Sequence, residues 1–382
     1  MKTATADEPQ APALHALIVN SVLTGGGVDS HTVSLCAALM QAGVQVTLAA
    51  PGGARLLAHA RTLPGLQLLE LPQRRQRWPL RLARHVRRHA VQVIHAHHGR
   101  DYWVAVLAGW LSAGRARVVV TRHLMTALKA KTRWLLAPPC EVIAVSDAVL
   151  GAVRQGDPGQ RLRVTRVHCG IDTEVFRPRP EWREAARAEL GFAPGDVCFV
   201  VIGPTQAPDG KGQFYFAAAA AQVLAQAPQA RFLCVGDGNA LPALRDEADR
   251  LGLGGRFTTL PFSDQVPRLL QAVDVLVHPA VHSEALGLVI LEALACAKPV
   301  VASRLDGISE TFRDGEHGRL VPPRDVPALA AALLEVADDA GLRQRRGLAG
   351  RQWVQANFSH QQLGRQTRQV YEAERRQAGA AE

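Results

Sequence analysis

With 382 residues, of which 47% are hydrophobic and 20% charged, the chain has the make-up of a folded globular protein and length for two domains with separate cores. Its longest apolar run, over 104–111, is interrupted by Gly109 and ends at Ser112, far short of the roughly 20 residues a membrane-spanning helix needs. The formal net charge of +10 is uneven: residues 1–170 hold 21 Lys and Arg against 8 Asp and Glu, and the remainder holds 23 against 26, so one half is suited to an anionic partner and the other is not.

Short β-rich apolar runs alternate with helical patterns along the whole chain, which is the mark of parallel α/β architecture. In the first half the pattern predicts strands over 14–20, 44–49, 66–69, 91–95, 117–121, 141–145 and 163–167, with helices over 30–41, 79–89 and 147–154 among them. A proline-punctuated stretch, 170–180, cannot continue a sheet and reads as a linker. The second series of strands is expected over 197–202, 231–235, 256–260, 273–277 and 299–302, and three helices, 326–337, 342–356 and 359–375, close the chain. The pattern implies two doubly wound domains, and such sheets bind ligands at the carboxyl ends of their strands. The first 12 residues lack the apolar core of an export signal, and six scattered cysteines form no C-x-x-C pair, so the expectation is a cytoplasmic protein with buried free thiols.

The segment from Asp274 to Ala295 carries the most chemistry. A strand ends at His278 and Pro279, a loop holds Glu284, and a helix begins near Gly287. A helix N-terminus behind a glycine offers free amides and a positive dipole end, which suits a diphosphate. Glu284 just before that terminus and Glu292 two turns later can accept hydrogen bonds from hydroxyls; taken singly, each is as well explained as a charge on a solvated helix.

The E-x7-E spacing of Glu284 and Glu292 resembles the retaining glycosyltransferase family 4, of the GT-B fold: two Rossmann-like domains facing across a cleft. It runs on through Lys298, Pro299, Glu310 and the stretch from Asp314 to Pro323. Gly25, Gly26 and Gly27 resemble that family's glycine loop after the first strand. His95 and His97, Ser146, and Gly170 with Asp172 stand in family order.

The resemblance implies that Glu284 holds hydroxyls of the transferred sugar and Glu292 the donor ribose. It implies too that the amides of Leu286, Gly287 and Leu288 cradle sugar and phosphates, with Gly26 and Gly27 approaching the diphosphate from the other domain. Gly203, Thr205 and Gly236 would line the donor crevice, the Gly236 turn being equally a plain strand–helix connection. Lys211 matches the lysine that stabilises the leaving diphosphate, and His123 the histidine that faces the donor sugar, although a strand-end histidine is also a common packing residue. One departure stands out: the arginine usual beside that lysine is replaced by Pro204 and Gly210. Thr205 or Gln206 could supply neutral donors instead, or Arg122 a cation.

Resemblance and charge together lead us to expect a metal-independent, retaining transferase with no cofactor, taking a nucleotide-sugar (a UDP-sugar first) to a glycan or lipid-linked acceptor of the cell envelope, such as lipopolysaccharide. Nucleic acid is not expected as a partner. Residues 13–172 would form the acceptor-binding domain and 173–358 the nucleotide-sugar-binding domain, with 359–382 a helix crossing back to the first. Two rivals exist: a sugar-nucleotide-binding protein with weakened catalysis, and a dinucleotide oxidoreductase. The second conflicts with Ser30, which stands where G-x-G-x-x-G needs its last glycine. On the helix from Pro79, Arg77, Arg81, Arg84 and Arg88 form one stripe opposite Leu82, Val86 and His89. That stripe is either a solvated face or a surface for an anionic membrane or phosphorylated acceptor, which would place the protein peripherally on the inner face of the membrane.

Overall fold

The computed structural model describes residues 14–23 and 26–378, with side chains described to Ala373. Gly25 of the glycine loop and the expected domain limits at 13 and 382 lie outside these residues. The chain forms two compact units: residues up to Val145, Val153–Gly170 and from His360 onwards in the first, and Ser146–Ala152 with Ile171–Ser359 in the second.

The first unit holds strands β1 (His15–Val19), β2 (Gln45–Pro51), β3 (Gln67–Leu71), β4 (Val93–Ala96), β5 (Arg117–Arg122), β6 (Glu141–Ala144) and β7 (Arg163–Arg166). They pair in parallel in the order β3-β2-β1-β4-β5-β6-β7. Sheets covered on both faces are built from continuous apolar runs, and β1, β4 and most of β5 are buried at every position. Leu35, Cys36 and Leu39 of helix Gly27–Gln41 pack on one face of this sheet. Helix His360–Ala378 lies against that helix so closely that a Cβ on Gly364 would come 2.2 Å from the Ala38 carbonyl oxygen. Its Tyr371 is buried and hydrogen-bonds His95 Nδ1 at 2.7 Å.

The second unit holds β8 (Val197–Ile202), β9 (Ala230–Val235), β10 (Phe257–Leu260), β11 (Val275–His278), β12 (Val300–Ser303) and β13 (Gly318–Val321), all parallel, in the order β10-β9-β8-β11-β12-β13. Phe199, Phe216 and Phe232 form the centre of its core, with ring centroids 5.4 Å apart along both contacts.

Three features depart from the sequence reading. Strand β13 is absent from it, because Gly-Arg-Leu-Val is too short and polar to stand out from the turn before it. Helix Gly27–Gln41 starts three residues early, directly at its N-cap Gly26. Residues 146–152 group with the second unit rather than the first; there the Glu310 carboxylate accepts from the backbone amides of Asp147 (2.7 Å) and Ala148 (2.8 Å) at a helix start. All six cysteines are buried and free.

Candidate active site

In both sheets the strand order reverses direction about one position, between β1 and β4 and between β8 and β11. A crevice opens at the carboxyl ends of strands at such a point.

In the second unit three glycines let backbones close on that point. Gly212, at φ +86°, abuts the Pro279 carbonyl, where an added Cβ would lie 1.8 Å from its oxygen. Gly236 and Gly238 abut Gly203 and Thr205 in the same way, at 2.3 and 2.0 Å. The loop after β8 is thereby pressed onto the ends of β9 and β11, and Lys211 is carried to Glu284. The Lys211 ammonium and Glu284 Oε2 form a direct ion pair, and the buried His278 ring places Nε2 3.5 Å from the same oxygen. Burial opposes ionisation of Glu284, but the His278 ring and the Lys211 charge outweigh it and hold the carboxyl at about 2. Backbone bonds fix the loop: Glu284 N donates to Asp306 Oδ2 (3.3 Å) and Gly307 N to the Glu284 carbonyl (3.1 Å).

Gly287 is the left-handed N-cap (φ +86°) of helix Leu288–Ala295, as Gly212 is of helix Gln213–Leu224. Leu286 is buried and Leu288 partly so. Glu292, in the second turn, is partly buried, and its carboxylate makes no hydrogen bond or ion pair among the described residues; burial pushes the carboxyl up to about 7.

The missing arginine has a steric counterpart. Gly210 is at φ +55°, and a Cβ there would meet Gln213 Oε1 at 2.4 Å. The buried Gln213 side chain takes the space, accepting from Lys211 N (2.7 Å) and donating to the carbonyls of Gly203 and Pro204 (3.3 Å each). Thr205 is buried and Gln206 exposed. Arg122, in the first unit, is engaged locally, its Nη2 donating to Thr126 Oγ1 at 2.7 Å. A cation that sequence reasoning missed is Arg324, after β13, whose Nη2 stands 3.7 Å from Asp209 in the Lys211 loop; His282 Nε2 is 3.0 Å from the same carboxylate. His278, the partner of Glu284, was legible only as the last residue of its strand.

In the first unit, Gly26 (φ +142°) has open space where its Cβ would lie, so the glycine is needed for backbone conformation rather than for packing. Asn20 Nδ2 beside it donates to Asp29 Oδ1 at 2.9 Å. Gly27 opens the helix. His123 follows β5 and meets His97, which follows β4, with His97 Nδ1 and His123 Nε2 3.4 Å apart; one ring nitrogen each from His31, His97 and His123 lie within 4.8 Å of one another. Burial lowers all three imidazoles, His31 to about 4, so they are neutral at pH 7 and could accept a hydrogen bond or hold an ion. Arg77, Arg81, Arg84 and Arg88 are exposed on and just before helix Trp78–Arg88, with Leu82 and Val86 buried beneath; His89, expected beside these two, is exposed at the C-cap.

Residues 25–175 match the model of Glycosyltransferase Family 4, and residues 197–339 that of Glycosyl transferases group 1. A D-inositol 3-phosphate glycosyltransferase of Streptomyces coelicolor is 30% identical over 74% of this chain and 68% of its own length. The chain belongs to glycosyltransferase family 4. A second relative with the same description, from Mycobacterium marinum, is 32% identical over 70% of this chain and 59% of its own; the chain thus spans about three fifths of the first relatives' length. Among solved structures, Anabaena HepE in complex with UDP and glucose superposes with a TM-score of 0.80 at 21% identity, covering 94% of this chain and all of that one. The fold of this family 4 member is therefore GT-B, with two Rossmann-like domains.

Proposed function

We propose that the chain transfers a sugar from a nucleotide-sugar, UDP-linked in the first instance, to a saccharide or lipid-linked acceptor of the cell envelope, with retention of configuration and without a metal ion. The observation that carries this reading is the Lys211–Glu284 pair at the β8/β11 switch point. A cation and a carboxylate held together there match a diphosphate and a sugar hydroxyl joined in one donor. In this reading Lys211 takes charge developing on the leaving diphosphate, Glu284 orients the sugar, Glu292 accepts from the ribose, and the amides from Leu286 to Leu288 receive phosphate oxygens. Gly26, Gly27 and the neutral His123 belong to the first unit's share of the donor. Support comes from relatives named for an inositol phosphate acceptor and from the UDP and glucose held by a protein of the same fold.

The experiment is a thermal-shift panel of UDP-, GDP- and ADP-sugars, since ligand binding raises native stability by mass action. Transfer is then measured with the stabilising donor, and the product anomer read by NMR. Gly210 and Pro204 at the places of an arginine favour a second reading, a sugar-nucleotide-binding protein with weakened catalysis. A donor that stabilises the protein but is neither hydrolysed nor transferred would decide for it.

A further inference from the structure

Helix Tyr102–Leu111, Tyr-Trp-Val-Ala-Val-Leu-Ala-Gly-Trp-Leu, has no charged side chain. A helix apolar on all sides is normally covered on all sides. This one is covered on one: Tyr102, Val104, Ala105, Ala108 and Gly109 are buried, while Trp103, Leu107 and Trp110, at i, i+4 and i+7, are 38%, 37% and 76% exposed. After Tyr102 and Val104 at its start, the helix is seated by small residues, a Cβ on Gly109 falling 2.8 Å from Val118 Cγ2, while Trp103, Leu107 and Trp110 face outwards.

The surroundings are basic. Helix Trp78–Arg88 packs alongside with its exposed arginines and an exposed Leu80. Helix Ala130–Leu135 also touches it, bearing Lys131, Arg133 and an 83% exposed Trp134. Residues 71–140 contain 14 Lys and Arg and one acid, Asp101, which is buried and paired with Arg75 at 2.6 Å. No helix among the described residues is long and apolar enough to cross a membrane.

We propose that this face of the first unit docks on an anionic lipid bilayer, with Trp103, Leu107 and Trp110 entering the interfacial layer and the surrounding arginines and lysines holding the headgroups. Tryptophan favours that layer because its ring is apolar and its N–H polar. A helix of ten residues is about 15 Å long, half of the roughly 30 Å hydrocarbon thickness, so it lies in the plane of the interface. A second copy of the chain would set this basic face against itself, at a cost in like-charge repulsion, whereas anionic lipid neutralises it. The inference deepens the proposed function only in giving a lipid-linked acceptor a reason to be met here.

The full chain, without donor or acceptor, is sedimented with vesicles of phosphatidylcholine alone or with phosphatidylglycerol added. Binding is expected to the mixed vesicles only, with a blue shift of tryptophan emission and quenching by brominated acyl chains. Trp110→Ser should lower the partition coefficient several-fold and reduce the quenching. W103S/L107S/W110S should lower partition by roughly tenfold or more, at a melting temperature that confirms the fold. The proposal is overturned by wild type that stays in the supernatant or by bound protein whose emission is neither shifted nor quenched. A dimer that Trp110→Ser dissolves would likewise overturn it, giving the face to a second copy. Donor-induced thermal shift, measured on the same protein, fails or succeeds independently of vesicle binding, so the two readings fall separately.

Discussion

Lys211 and Glu284, 73 residues apart, are paired at the carboxyl edge of the second sheet, with the His278 ring 3.5 Å from the same carboxylate oxygen. In the proposed reaction the two serve different parts of one donor, so donor binding must part them. Glu284→Ala removes the sugar contact and frees the lysine at once. Turnover should fall by roughly 10²–10³, while free UDP binds as well as before or several-fold more tightly. Steady-state kinetics beside calorimetry of UDP checks both halves, and near-normal transfer would sink the assignment of Glu284.

Lys211 is the cation expected to replace a metal. Lys211→Ala should abolish transfer, and EDTA should leave the wild type unchanged, because no step is assigned to an ion. An ion held by His31, His97 and His123 would make itself known here. Activity that vanishes with chelator and returns with one divalent metal would move the leaving-group chemistry away from Lys211.

Glu292 links the site to stability. Its folded-state carboxyl is pushed up to about 7 by burial, from an ordinary value of 4.5. The folded chain therefore holds a proton that the unfolded chain has lost between these values. Accordingly, this group's contribution falls as pH rises from about 4.5 through 7, by an amount on the order of 1–3 kcal/mol. Glu292→Gln, which keeps the neutral shape, should leave the melting temperature unchanged near pH 4.5 and raise it by a few degrees at pH 8. Parallel melting curves at both pH values would show that the carboxyl ionises freely.

Much of this was readable in the chain because parallel strands buried on both faces announce themselves as apolar runs; β8 lies at 197–202 as its sequence suggests. Strand β13 did not, since Gly318 is required there by the Val300 carbonyl, 2.0 Å from where its Cβ would be, and Arg319 lies exposed. Glu284 and Lys211 could be named from motif spacing, but not that they meet, which depends on Gly212 against Pro279. Arg324 was invisible because its relation to Asp209 spans 115 positions and five α-helix starts. The outward face of Trp103, Leu107 and Trp110 was hidden inside an apolar run that, read by composition, predicts burial all round.

The contact of Gly212 with Pro279 can be tested directly. Gly212→Ala imposes both an unfavourable φ of +86° and a Cβ 1.8 Å from a backbone oxygen, so the loop must shift. Gly53, at φ +84° with open space around it, separates the two effects. Gly53→Ala should cost about 1 kcal/mol from the backbone alone, and Gly212→Ala clearly more by chemical denaturation. Only Gly212→Ala should also weaken the donor-induced thermal shift, because only it draws Lys211 away from Glu284. Equal costs in the two variants would mean that the close approach does not hold the site together.

The arginine stripe makes the last distinction, between a solvated helix and a working surface. The side chains of Arg77, Arg81, Arg84 and Arg88 are exposed and make no hydrogen bond or ion pair among the described residues, so the fold does not need their charge. Replacing all four by glutamine should leave the melting temperature within about a degree or two, as surface changes do. If the surface meets a phosphorylated or membrane-borne acceptor, the same variant should raise the acceptor KM several-fold and leave the donor KM unchanged, since Lys211, Glu284 and Glu292 lie in the other unit. The wild-type acceptor KM should itself rise with salt, as the Debye length shrinks to roughly 8 Å at physiological strength and further beyond it, and the variant's should not. A salt-independent wild type, or unchanged acceptor kinetics in the quadruple variant, would leave the stripe as solvated helix and place acceptor recognition elsewhere in the first unit.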